Sequence, residues 1–219
     1  MVVRQFDQSL QELKQALLDM GEKLEIAIDK AVRSLVHLDV NLAQEVLAKD
    51  EVIDRMEDQI DDMVALLIAT RQPVATDLRR VIAAMKIASD MERMADLAGN
   101  IAEVTVKMVR NDQKLFKELV DIPRMAKITQ KMVHDGINSF IDGNVELARE
   151  LAKTDDEVDH IYEKVVKELL QYMIEQEQYT EVALQLCFVG RYLERIADHA
   201  TNIAESIVYI ETGKRVDLN

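Results

Sequence analysis

The chain has 219 residues, a formal net charge of −14, two prolines, six glycines, no tryptophan and one cysteine. So few turn- and strand-forming residues exclude a sheet protein, and the dominant Leu, Ala, Ile, Met, Glu, Lys and Asp are mostly good helix formers, so the expected fold is all-α. A surface this acidic repels phosphate backbones and anionic lipid, which argues against direct nucleic-acid binding and membrane docking and favours cations and basic protein partners.

The N-terminal "MVVRQFDQSLQEL" has no apolar signal region, and the longest apolar run, "MVALLIA" at 63–69, is too short to cross a bilayer. The lone Cys187 excludes an internal disulfide, and a cytoplasmic protein is expected. Leu10, Leu13, Leu17, Met20, Leu24, Ile28, Ala31, Leu35 and Leu38 recur every three or four residues, the seam of a long amphipathic helix. "HLDVN" (37–41) punctuates it, and a second helix runs to about Thr70. "TRQPVATD" supplies Pro73 and then Thr76, the expected N-cap of a third helix from about Asp77 to Arg110. The pattern breaks in "NDQKLFKELVDIPRM" (111–125) and resumes as a fourth helix to about Phe140. "DGN" (142–144) ends that helix, a fifth covers roughly 145–177, and a sixth roughly 181–211. Six helices in this order predict two tandem antiparallel three-helix bundles, residues 1–111 and 112–215.

An internal repeat supports that division. "SLVHLDVNLAQEVLAKDEVID" (34–54) lies over "SFIDGNVELARELAKTDDEVD" (139–159) at an offset of 105. "DMERMADLAGNIAE" (90–103) lies over "YLERIADHATNIAE" (192–205) at an offset of 102, with nine of fourteen positions identical.

The repeat also carries rows of oxygen-bearing side chains. Asp50 and Asp54 stand four apart, as do Glu92, Asp96 and Asn100; Asp155 and Asp159, then Glu194, Asp198 and Asn202, match them in the second half. Residues four apart point the same way on a helix. With 41 acids in the chain, roughly seven or eight acidic i,i+4 pairs arise at random, most of them solvated. Chance does not place the same pairs at matched positions in two diverged copies. Like charges at this spacing repel, so a bound cation or interleaved bases must compensate. Arg93 and Arg195 adjoin the glutamates but project about 100° away. Oxygen-rich sites almost without histidine favour hard cations such as iron, manganese, magnesium or calcium over structural zinc. The expectation is a metal site in each half, built from these ten residues.

At these residues the sequence resembles the PhoU proteins of bacterial phosphate regulation. The resemblance rests on "TRQPVATDLRRVIAAMKIASDMERMAD" (70–96), "AKTDDEVDHIYE" (152–163) and "GRYLERIADHATNIAE" (190–205), and it spans nearly the whole chain. Ala95 and Ala197 stand where many members have glycine, a conservative exchange within a helix. The resemblance implies a non-enzymatic, cytoplasmic negative regulator of phosphate uptake, active when phosphate is plentiful. Its implied partners are the ATPase of the high-affinity phosphate transporter and the sensor histidine kinase of the phosphate regulon. It further implies that the E/D-x-x-x-D/N motifs on the ten residues above bind metal clusters. Iron is the first expectation, and manganese, magnesium and zinc stay open. The broad flanks of such bundles also lead one to expect a homodimer.

The rival reading is a ferritin-like, carboxylate-bridged oxidase, which uses paired E-x-x-H motifs. Glu157 and His160 form the only such motif, and its repeat counterparts are Val52 and Arg55, which weakens that alternative. His199 follows Asp198 directly and is expected to point off the ligand row. Cys187, in the apolar "LQLCFVG", reads as packing rather than as a nucleophile. The methionines read as core filler, and Arg71, Arg79 and Arg80 as surface residues flanking the RQP turn or as partner contacts.

Overall fold

The structure, a computed structural model, describes residues 2–218, with side chains from Gln5 onward. Its helices are α1 (Val2–His37), α2 (Val40–Leu47), α3 (Asp50–Arg71), α4 (Ala75–Arg110), α5 (Asp121–Asp142), α6 (Val145–Glu175) and α7 (Thr180–Thr212), with a 3-10 turn at Glu177–Tyr179. There is no strand among the described residues. In α1 the seam residues Leu13, Leu17, Met20, Leu24, Ile28, Ala31 and Leu35 are all fully buried. Each large apolar side chain removed from water in this way contributes about 1.5–3 kcal/mol.

The two halves open their second helices with the same device. Asp39 Oδ1 accepts from the Leu42 amide at 3.1 Å, and Asn144 Oδ1, 105 residues on, accepts from the Leu147 amide at 3.1 Å. Each satisfies one of the backbone donors that a helix start leaves free. The C-terminal stop of α5 is Gly143, whose φ of 67° is the left-handed conformation that glycine adopts without steric cost.

Two local expectations need correcting. The single helix expected up to Thr70 is broken into α2 and α3 at Ala48–Lys49, where the Lys49 amide donates to Val46 O three residues back at 3.0 Å. The equivalent residues 153 and 154 continue unbroken within α6. Neither glycine nor proline marks the break. Thr76 is not the N-cap of α4; extended Val74 (φ −129°, ψ 159°) holds that position without a side-chain bond. The Thr76 hydroxyl instead accepts from Arg79 Nη2 at 3.0 Å.

One bundle comprises α1, α3 and α4, with α2 laid against α1 and α4; the other comprises α5, α6 and α7. They are not independent, because α4 runs along α7 and α1 along α5. Their buried apolar side chains form one continuous cluster. Small residues dominate the long central helices: Ala83, Ala84, Ala88, Ala95 and Ala98 on α4 and Ala197, Ala200 and Ala204 on α7 are all buried. Side chains this short let helix backbones approach closely. Between α1 and α5, a Cβ placed on Gly21 would lie 2.1 Å from Ile137 Cδ1, so only hydrogen fits there without Ile137 moving. Met20, Met91, Met94, Met108, Met125 and Met132 are fully buried and fill irregular gaps, as expected of the methionines.

Polar contacts clip the halves together. Lys14 Nζ on α1 donates to Ile141 O at the end of α5 at 2.5 Å, and Arg79 Nε on α4 donates to Ile210 O near the end of α7 at 2.9 Å. Each cation meets a helix C-terminus, where the backbone is partly negative. Burial is the main cause that pushes the Lys14 amine below the usual lysine range. Gln130 Nε2 donates to Glu25 O at 2.9 Å, tying α5 to α1. No helix among the described residues is long and apolar enough to cross a membrane.

Because the two caps make the same bond at matched positions, Asp39→Ala and Asn144→Ala should each cost about 1 kcal/mol of unfolding free energy in urea melts. Loss from only one of the two would show that the caps are not equivalent.

Candidate metal centre

Helices α3 and α4 are antiparallel neighbours in the first half, as α6 and α7 are in the second, and this sets which acids face each other. Asp50 feels Asp96 and Asp54, while Glu92 feels Asp96 and Asp54. In the second half Asp155 feels Asp159, Asp198 and Glu194, and Glu194 feels Asp198 and Asp159. Eight of the ten residues read from the sequence thus fall into two matched sets of four carboxylates. Asn100 and Asn202, one turn further along α4 and α7, are half-buried. Asn202 Nδ2 donates to Asp90 Oδ1 on α4 at 3.3 Å.

The halves differ in depth. Asp155 is 6% exposed and Glu194 9% exposed, whereas Asp54, Asp96 and Asp159 are exposed. Asp155 Oδ1 and Glu194 Oε2 are buried with no hydrogen-bond partner. Burial first, and then the neighbouring carboxylates, push both groups up to about 7. The same causes in the same order raise Asp50, Glu92 and Asp159 above the usual carboxylate range.

A buried carboxylate oxygen without a partner costs about 1–3 kcal/mol or more if ionised, so something must neutralise it. Protons do so in part, and a hard cation would do so fully. Oxygen donors on two facing helices fit such an ion. As the side chains stand, no group of three or more His, Cys, Asp or Glu among the described residues encloses a metal position. The carboxylates are close enough to repel one another yet open, and gathering them on an ion would take rotations of their side chains.

Sequence reasoning missed several neighbours of this centre. Glu57 on α3 acts on Glu92, and its repeat counterpart is Tyr162, so comparison of the halves hid it. The base that compensates Glu194 is Arg191, which forms an ion pair with it, rather than Arg195. Arg191 stands where the first half has Ser89, again outside the repeat. Asp90 was also missed; it accepts from Asn202 and lies 2.9 Å from His199 Nδ1, joining α4 to α7. His199 therefore points off the ligand row, as expected.

The E-x-x-H pair is engaged elsewhere. Glu157 accepts from Arg124 Nη2 at 2.7 Å, and His160 Nδ1 lies 2.7 Å from the carbonyl of Asp156 on its own helix. Both side chains are exposed. Cys187 is half-buried, and burial pushes its thiol up, which leaves little thiolate for chemistry.

A carboxyl that titrates higher in the fold than in the open chain binds its proton more tightly when folded. Its contribution to stability is complete below the ordinary carboxylate range and is lost as pH rises through about 7. In a chelator-treated sample, Asp155→Asn should therefore raise unfolding free energy by about 1–2 kcal/mol at pH 8 and by nothing near pH 4. Urea titration at the two pH values reads this out, and an equal gain at both would contradict a buried charge at Asp155.

With this geometry in view, comparisons with known proteins are consistent along the chain. A sequence profile of the PhoU domain matches twice, at residues 17–105 and 122–207. The chain is 38% identical over 215 residues to a phosphate-specific transport system accessory protein PhoU homolog of Clostridium acetobutylicum, covering 98% of this chain and 97% of that protein. It is 39% identical over 207 residues to the homolog of Aquifex aeolicus, covering 94% and 93%. The crystal structure of PhoU from Pseudomonas aeruginosa superposes with a TM-score of 0.90 at 33% identity, over 95% of this chain and all of that one. The phosphate transport system regulatory protein PhoU from Streptococcus pneumoniae gives 0.89 at 32% identity, over 97% and 99%. Two matched bundles, two matched carboxylate sets and full-length similarity lead to one conclusion: the chain belongs to the PhoU family.

Proposed function

We propose that this protein is a cytoplasmic negative regulator of phosphate uptake and phosphate-regulon signalling that works as a metal-loaded docking subunit. Membership of a family of phosphate transport accessory and regulatory proteins, not enzymes, supports the regulatory part of this reading. The single observation that supports the metal is the pair of buried, unpartnered oxygens on Asp155 and Glu194; at the matched positions of the other half, Asp50 and Glu92 are half-buried and raised by the same causes.

In this reading the two halves, taken as residues 1–111 and 112–215, each hold a hard cation. Asp50, Asp54, Glu92 and Asp96, with Asn100, serve the first; Asp155, Asp159, Glu194 and Asp198, with Asn202, serve the second. Iron is the leading candidate. The ion supplies positive charge that relieves carboxylate repulsion and fixes α3 on α4 and α6 on α7. The stiffened bundle then docks on the transporter ATPase and the sensor kinase and holds them inactive. Leu170 and Ile174 on α6, with Leu184 and Phe188 on α7, are exposed apolar side chains that such a partner could cover. Association of two copies belongs to the same reading.

The test loads purified protein with ferrous iron or manganese, desalts it and counts retained metal by elemental analysis. Retention in both halves is expected, with near-complete loss in Asp96→Ala/Asp198→Ala. Wild-type protein that retains nothing overturns the metal. A transporter ATPase co-purification from phosphate-replete cells checks docking, which the same double variant should weaken at least about tenfold if metal shapes the face.

A further inference from the structure

A cavity of about 330 Å³ lies between the first turns of α4 and the end of α7. Its charge is the reverse of the rest of the molecule. Arg79 and Lys86 on α4 and Arg215 on the C-terminal tail line it, together with the hydroxyl residues Ser206 and Tyr209. In a chain of net charge −14, three cations in one cavity create a local positive field against the prevailing one.

The cavity has fixed walls. The chain leaves α7 through Gly213, whose φ is 69°, and the tail folds back so that the Leu218 amide donates to Glu205 Oε1 at 2.9 Å. Arg215 thereby lies over the Tyr209 ring, 5.9 Å from its centroid. The Arg79 guanidinium is held by Ile210 O through Nε and by Thr76 through Nη2, and Nη1 has no acceptor among the described residues. Lys86 makes no hydrogen bond or ion pair to a described residue, and the Ser206 and Tyr209 hydroxyls make no hydrogen bond to one. The cavity therefore holds a pre-aimed guanidinium, two further cations and two hydroxyl donors, the pattern that suits a tetrahedral oxyanion.

The one carboxylate in the lining narrows the ligand. Glu205 engages the tail through Oε1, and its Oε2 makes no hydrogen bond or ion pair to a described residue. A carboxylate facing an anion site repels any oxyanion that has no proton to offer. Monohydrogen phosphate carries an O–H that can donate to it, whereas sulfate and a phosphomonoester dianion carry none. We propose that this cavity is a binding site for free orthophosphate, held by Arg79, Lys86, Arg215, Ser206 and Tyr209, with Glu205 selecting the protonated anion. It uses none of the metal ligands and bridges the two halves of the chain.

Isothermal titration of the full-length protein with sodium phosphate at about pH 8, with chelator present to exclude metal-held phosphate, tests the site. Saturable binding in the millimolar range or tighter is expected, with sulfate and a phosphomonoester weaker by about tenfold or more, the size of one charge-assisted hydrogen bond. Lys86→Gln/Arg215→Gln, two exposed positions outside the core, should abolish binding without changing the helical circular dichroism. Glu205→Gln should keep phosphate binding and erase the preference over sulfate. No heat with wild-type protein, or undiminished binding by the folded double variant, overturns the site; equal affinity of wild-type protein for sulfate and phosphate overturns the role of Glu205. A chain that binds phosphate here yet retains no metal leaves this site standing, and the converse removes this site alone.

Discussion

The constraint from which the rest follows is electrostatic: carboxylates on facing helices are taken out of water with one oxygen left unpartnered even where the other is ion-paired, as Glu194 is with Arg191. Asp155 and Glu194 sit between α6 and α7 with one oxygen each buried and unbonded. A helical bundle has no stability reason to keep such groups, since apolar residues of similar size would pack there at no desolvation cost. Their retention is coherent only if a positive charge, proton or metal, completes them. The first half repeats the arrangement in shallower form, with Asp50 and Glu92 half-buried. The two halves thus share one chemistry at unequal depth.

That constraint rests on the packing beneath it. The alanines of α4 and α7 let the central helices run close together, and the continuous core leaves no seam along which the halves could separate cheaply. Polar clips at one end, Lys14 to the end of α5 and Arg79 to the end of α7, fix the register of one half on the other. The contact of Asp90 with His199 and Asn202 does the same in the middle. Asn202 is thus both a member of the oxygen row and part of the inter-half contact.

Much of this was legible in the sequence because it obeys local rules written twice. The α1 seam, the stop at "DGN" and the RQP turn follow from periodicity and turn chemistry. The oxygen rows follow from four-residue spacing at matched positions. What was not legible is what one half has and the other lacks, or what depends on distant elements. Arg191, Asp90 and Glu57 have non-equivalent residues in the other half, Ser89, Tyr192 and Tyr162. The break at Ala48–Lys49 carries no glycine or proline. Thr76 has a capping side chain but spends it on Arg79. Arg215 lies beyond the last periodic segment, and only the folded-back tail brings it to Arg79 and Lys86.

The most direct measurement is anomalous diffraction from crystals of the full-length chain grown with ferrous iron or manganese. Strong peaks between α3 and α4, coordinated by Asp50, Asp54, Glu92 and Asp96, and between α6 and α7, coordinated by Asp155, Asp159, Glu194 and Asp198, are the predicted result. Well-ordered maps with no anomalous density at either position, and the eight carboxylates still apart, would contradict it.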